Sequence, residues 1–278
     1  MTNILYLQQE MSRVVVTLTT LPSRITQEYP EGIKSNIESL LTQDYLGDYE
    51  IHFNVPTVLK HTGEEYIVPE WLRQVSIDNP KFKIFEGLED MGPITKCAHT
   101  IKRVAEPDAI IIVCDDDLVY HPGMVTEQVR NQIRFVRTAV GYDGSRAEDP
   151  TIFNDVRSHF VVSVYKDVEV NMLQHYKTIS YRREWFEDDF FTEFVGKSWN
   201  DDILISAYMG KQGIKKIVAA YEYEEKLVTI EQWREKGGVT TFPVLRHTSH
   251  EGQEGCNLYR AAQMDENYME FVTKGYLK

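Results

Sequence analysis

The sequence predicts an α/β fold with a mostly parallel central sheet and flanking helices, and three observations predict it. Arg13 to Thr20, R-V-V-V-T-L-T-T, is a β-branched run. A helical pattern and a second strand-like run follow it. That is the opening of a βαβ winding, whose crossover is right-handed almost without exception. Ala109 to Leu118, A-I-I-I-V-C-D-D-D-L, is an apolar run that stops at three aspartates. It lacks helical periodicity and suits a strand buried on both faces in the middle of a sheet.

The elements follow in order. After the first strand, Gly32 to Gln43 places Ile33, Ile37, Leu40 and Leu41 on one helical face. Tyr49 to Val55 is the second strand, and Pro56 ends it. Glu70 to Val75 is a short helix after Pro69, and Phe82 to Phe85 a short strand. Ile94 to Val104 is helical and leads into the central strand. Pro122 to Ala139 is expected as one helix, with Met124, Val125, Val129, Ile133 and Val136 at helical spacing and Pro122 in its first turn. Gly141 to Pro150 is expected as a polar loop, Phe160 to Val164 as a strand, and Trp185 to Val195 as partly helical. Met172 to Trp185 gives no clear pattern. Asp201 to Gln212 is a helix capped by Asn200 and stopped by Gly213. Ile214 to Ala220 is a strand, and Asn257 to Phe271 a last helix.

A chain of 278 residues suits one such domain with an extension. The net charge of -13 argues against a general nucleic-acid binder, which needs a basic face. Cys97, Cys114 and Cys256 are widely spaced and form neither a disulfide framework nor a zinc pattern. No stretch reaches the roughly 20 apolar residues of a spanning helix, and no signal peptide is seen at Met1 to Met11. A soluble, cytoplasmic protein is expected.

Four clusters carry the candidate chemistry. Asp115, Asp116 and Asp117 repel one another unless something positive sits among them. In open α/β sheets ligands bind outside the carboxyl ends of strands, and a hard divalent cation with a phosphate-bearing ligand fits that place. Thr17, Thr19 and Arg24, at the end of the first strand, suit a nucleotide, since a guanidinium fork matches phosphate. Lys96, in G-P-I-T-K, stands at a helix start that attracts anions. Asp201 and Asp202, in W-N-D-D-I-L-I-S, lie in a helix's first turn, where a carboxylate can act as general base or simply complement the helix dipole. His247 and His250 lie in a polar tail; either exposure or ligation of the same metal suits them.

Together these motifs resemble the GT-A-fold glycosyltransferases, the nucleotide-sugar-dependent class. The resemblance rests on V-V-T-L-T-T-L-P-S-R-I, F-N-V-P, G-P-I-T-K, I-I-I-V-C-D-D-D with its Asp-x-Asp pattern, and W-N-D-D-I-L-I-S-A-Y. It covers about residues 14–218 and implies a nucleotide-binding half over 13–120, an acceptor half over 121–220 and a C-terminal extension over 221–278. It implies transfer of a sugar from a nucleoside-diphosphate sugar, UDP favoured over GDP, to a glycan or other hydroxyl acceptor, with Mn²⁺ or Mg²⁺. It implies that Thr17, Thr19 and Arg24 hold the nucleotide and Lys96 the donor sugar or phosphates. Asp115 touches ribose or sugar, Asp117 ligates the metal with Asp116 helping, and His247 or His250 adds a ligand. Asp202 is the implied base of an inverting reaction, with Asp201 in reserve. The glycine-rich acceptor loop of related chains is missing from H-Y-K-T-I-S-Y-R-R-E-W-F. A nucleotidyltransferase that makes nucleotide sugars, or a non-catalytic carbohydrate-binding relic, are the alternatives.

Overall fold

The computed structural model describes residues 12–25, 31–146, 160–162, 166–175, 177–198, 200–220, 227–229 and 266–277. Its centre is an eight-stranded sheet: β1 (Val14–Leu18), β2 (Tyr49–Pro56), β3 (Phe82–Leu88), β4 (Ile110–Cys114), β5 (Thr138–Gly141), β6 (Val168–Glu169), β7 (Thr178–Arg182) and β8 (Lys215–Val218). The spatial order is β3-β2-β1-β4-β7-β5-β8-β6. β3, β2, β1 and β4 are mutually parallel, and so are β5 and β8. β7 runs antiparallel between β4 and β5, and β6 antiparallel to β8. The sheet is thus mostly parallel, as the sequence predicts. The chain leaves β1 for β2 on one side and returns to β4 on the other. The topological switch, where such folds bind ligands, therefore lies at the carboxyl ends of β1 and β4.

The helices are α1 (Pro22–Ile25), α2 (Glu31–Leu41), α3 (Glu70–Asp78), α4 (Thr95–Arg103), α5 (Met124–Arg134), α6 (Asp201–Lys211) and α7 (Glu266–Thr273). Every residue of β1 and β4 is buried, because both sheet faces are covered. Val15, Ile111 and Val113 pack with α4 and α6. Val14, Val16, Leu18, Ile110, Ile112 and Cys114 pack with α2 and α5. This strict alternation decides the site, because it continues past the strand end: Asp115 keeps the face of Val113, and Asp116 that of Cys114.

Two expectations need correction. Pro122 to Ala139 is not one helix. α5 ends at Arg134, Phe135 turns extended, Arg137 takes φ 47°, and Thr138 starts β5. Val136, expected on the helix's apolar face, is 83% exposed in that turn. Asp143–Ser145, expected in a loop, is a buried strand paired with Phe160–Val162 and Met172–Leu173. The unassigned stretch before Trp185 contains β7, at the middle of the sheet. The last helix begins at Glu266, and its expected first turns from Asn257 lie outside the described residues.

The edge of the sheet away from the site carries a charge network with a measurable signature. Glu50 contacts Arg13 at 2.7 Å, Lys83 at 2.5 Å and His52 at 3.1 Å. Burial opposes its charge, but Lys83, Arg13 and His52 outweigh burial and hold its carboxyl down at about 2. Burial pushes His52 down to about 4. Both values lie below the ordinary 4.5 and 6.5, so the native state binds fewer protons than the unfolded chain. The stability these groups contribute is complete above pH 6.5. It is lost as pH falls through about 4 and then about 2. Urea midpoints are expected to decline from pH 6.5 downward, with the step below pH 4.5 reduced in Glu50→Gln. A midpoint that rises on acidification contradicts this account.

Candidate functional site

The three aspartates turn away from β4 in two directions, as the alternation requires. Asp115 meets Lys96 Nζ at 2.8 Å on the α4 and α6 side. Asp116 meets the Arg24 guanidinium and the Thr20 hydroxyl on the other side. Asp117 lies 3.8 Å from Arg24 Nη2 and is the most open of the three, at 27% side-chain exposure. The turn is rigid. Asn36 Nδ2 on α2 donates to the carbonyls of Asp115 (2.8 Å) and Leu118 (2.7 Å). The Asp115 amide donates to Tyr120 Oη, whose hydroxyl donates to the Lys177 carbonyl.

Lys96 ties this turn to α6. Its ammonium, 8% exposed, also lies 2.9 Å from Asp201 Oδ2, in ion-pair range though not aligned as a hydrogen bond. Burial works against the charge of Lys96, but Asp115 and Asp201 outweigh it and hold its pKa well above the usual value. Burial pushes the Asp115 carboxyl up, against the pull of Lys96. Asp201 feels burial too, but Lys96 overcomes it and holds that carboxyl below its usual value.

The start of α4 behaves differently from the sequence expectation. The amides of Thr95, Lys96 and Cys97 donate to the carbonyls of Gly92, Pro93 and Ile94 in a tight first turn. They are engaged within the chain, so anion attraction at this helix start falls to Lys96, and Lys96 faces carboxylates. Asp90 Oδ1 accepts from the Gly92 amide and the Thr95 hydroxyl, which pins the loop. Gly92 has φ 76°, a conformation side chains resist.

At α6, Asn200 Oδ1 accepts from the Ile203 amide, the expected cap. Asp202 Oδ1 accepts from the His175 amide at 2.6 Å and lies 2.9 Å from His175 Nδ1. His175 Nε2 lies 2.6 Å from Tyr181 Oη on β7. His175, Asp201 and Asp202 bring one ligand atom each within 4.8 Å of one another. All three are already engaged, Asp201 by Lys96, Asp202 by His175, and His175 by Asp202 and Tyr181.

The remaining sequence candidates sit as follows. Thr17 faces α4: its hydroxyl donates to the Lys96 carbonyl, meets Thr100 Oγ1 at 2.7 Å and accepts from Asn54 Nδ2 at 3.0 Å. The structure makes it a strut under α4. Thr19 donates to the Asn54 carbonyl at 2.8 Å, at the mouth of β1. Trp199, His247 and His250 lie outside the described residues. The residues missed were Thr20, Asn36, His175 and Tyr181. Thr20 stood inside the quoted motif, one position beyond the named Thr19. The others carry no local signal, because their partners come from distant segments.

Five carboxylates thus line this end of the sheet: Asp116 and Asp117 beside Arg24, Asp115 and Asp201 beside Lys96, and Asp202 beside His175. Such a set of hard oxygen donors with surplus negative charge fits Mg²⁺ or Mn²⁺. Asp115 and Asp117 stand at the strand mouth, Asp115 against Lys96 and Asp117 beside Arg24.

No family model and no curated protein matches the chain. Solved structures do. A mannosyltransferase, PcManGT from Pyrobaculum calidifontis in complex with GDP-Man and Mn²⁺, matches with TM-score 0.49 and 16% identity over 75% of this chain and 54% of that one. GalNAc-T7 with UDP, GalNAc and Mn²⁺ matches with TM-score 0.49 and 12% identity over 77% and 43%. S. aureus TarS 1-349 matches with TM-score 0.44 and 12% identity over 72% and 56%. The chain spans about half the length of these structures. Among the described residues, no helix is long and apolar enough to cross a membrane.

Proposed function

We propose that the chain is a metal-dependent glycosyltransferase of the GT-A type. It would move a sugar from a nucleoside-diphosphate sugar to an acceptor hydroxyl with inversion. The observation that carries this reading is Lys96, buried between Asp115 and Asp201. It joins the acidic turn after β4 to the acidic start of α6, at the switch point where an α/β sheet takes its ligand.

In this reading Thr19 and Arg24 border the nucleotide, and Asp117 with Asp115 holds Mn²⁺ or Mg²⁺. When bound, that cation stabilises the negative charge growing on the departing phosphate. Asp202 takes the acceptor's proton. The new bond forms between acceptor oxygen and anomeric carbon while the carbon–oxygen bond to the phosphate breaks. The electron pair leaves with the nucleoside diphosphate. Asp201 positions Lys96 and the helix start. Uridine is favoured as the base and guanosine is second; both rest on the family resemblance.

A thermal-shift panel of UDP- and GDP-sugars with Mn²⁺, followed by product detection, tests the class. Free UDP or GDP supports it; pyrophosphate released from UTP or GTP in the presence of a sugar 1-phosphate indicates a nucleotidyltransferase. No turnover with any donor, including hydrolysis, points to a binding relic. The metal assignment has its own test. In calorimetry Asp117→Asn is expected to lose most of the Mn²⁺-dependent gain in UDP or GDP affinity. Equal gains in variant and wild type refute it.

A further inference from the structure

His175 is the buried side chain nearest to Asp202 that the reaction above leaves without a task. It is fully buried, yet both of its polar directions are engaged. We propose that His175 and Tyr181 form a positioning relay that sets which oxygen of Asp202 receives the acceptor's proton. The inference rests on the reading of Asp202 as base.

The proton positions follow from what each group can do. An ionised carboxylate only accepts, so His175 Nδ1 must carry the hydrogen in its 2.9 Å contact with Asp202 Oδ1. In the neutral ring, Nε2 is then bare and needs a donor. Tyr181 Oη at 2.6 Å supplies it, and burial keeps that phenol protonated far above its usual range. The ring is held flat against Tyr181, with centroids 5.9 Å apart and planes 23° apart. Phe186 closes the other side of Tyr181 edge-on at 5.5 Å. The His175 amide adds a second bond to the same Oδ1 at 2.6 Å. Two donors on Oδ1 occupy that oxygen and stop rotation of the carboxylate. Oδ2 is left as the oxygen that takes the acceptor's proton. Tyr181 sits on β7, so the centre of the sheet fixes the base through one imidazole.

The relay is tested in two ways. Long-range ¹H–¹⁵N NMR on the free protein, with His175→Gln to assign the signal, is expected to show Nδ1 protonated and Nε2 bare. The opposite tautomer overturns the proposal. Kinetically, release of UDP or GDP from UDP-glucose, UDP-N-acetylglucosamine and GDP-mannose is followed with Mn²⁺ and water as acceptor. Tyr181→Phe is expected to lower kcat about tenfold, the worth of one hydrogen bond, with KM for the donor unchanged. His175→Leu should approach the level of Asp202→Asn, and His175→Asn, which restores a donor near Nδ1, should recover part of the loss. Thermal melts and UDP or GDP affinity show whether each variant is folded. If Asp202→Asn is inactive while folded Tyr181→Phe and His175→Leu match wild type, the relay is wrong and the base stands. If Asp202→Asn itself keeps full activity, the underlying reading fails and the relay with it.

Discussion

Asp202→Asn is expected to lower sugar transfer by ~10²-fold or more while leaving donor affinity intact, the usual consequence of removing a general base. The amide keeps the shape of the carboxylate, and its oxygen can still accept from the His175 amide and Nδ1. What disappears is the second oxygen's ability to take a proton. Asp201→Asn should cost transfer less, because Asp201 faces Lys96 inside the protein. Its side chain is 12% exposed against 23% for Asp202. A helix start weakens carboxylate basicity, and both residues share that handicap, so position separates them. The measurement is initial transfer rate for both variants, with donor affinity by calorimetry. Full activity in Asp202→Asn with a dead Asp201→Asn reverses the roles. Activity in both removes the inverting mechanism from consideration.

The parts of this fold that were legible in the sequence are those where local pattern and burial agree. β1 and β4 are buried on both faces, so their residues are apolar without interruption, and the end of each strand is marked by a change to hydroxyls or aspartates. α6 carries its own cap and stop, Asn200 and Gly213. β7 was hidden because two of its four buried positions are polar. Thr178 and Ser180 are fully buried, and Ser180 donates to Gln128 and meets Gln132 across the sheet. A central strand of T-I-S-Y-R has the composition of a surface loop until those glutamines are seen. The same limit applies to the site. Asp115 and Asp202 announce themselves as runs of like charge. Lys96 shows only as a helix-start lysine, and His175 shows nothing, because each is defined by partners brought in through sheet order. The continuous helix expected across 122–139 failed for a related reason. Val136 fits a helical stripe by spacing, but the chain turns at Phe135 so that Thr138 can pair alongside β7 and β8.

Lys96→Met is expected to cost about 3–5 kcal/mol of folding stability, the range for leaving a buried charge without its partner. The methionine fills most of the lysine's volume, so the loss is one of charge. Without the ammonium, Asp115 and Asp201 face each other across a buried gap, and no other cation contacts both among the described residues. Two carboxylates so placed cannot both stay ionised. One takes a proton, and its folded-state pKa rises above the unfolded value. This pair's contribution to the variant's stability is therefore largest at low pH and falls as pH rises through that pKa, opposite in sign to the Glu50 and His52 contribution. Urea unfolding of Lys96→Met at pH 5 and pH 8 reads this directly: the deficit against wild type should be larger at pH 8. Adding Asp201→Asn to Lys96→Met removes one of the opposed charges and should restore stability, although Asp201→Asn alone in the wild-type background destabilises. That reversal of sign is a coupling that no independent pair of sites shows. Two effects that simply add would mean Lys96 does not join Asp115 to Asp201 in solution, and the link between the strand-end aspartates and α6 would be lost with it.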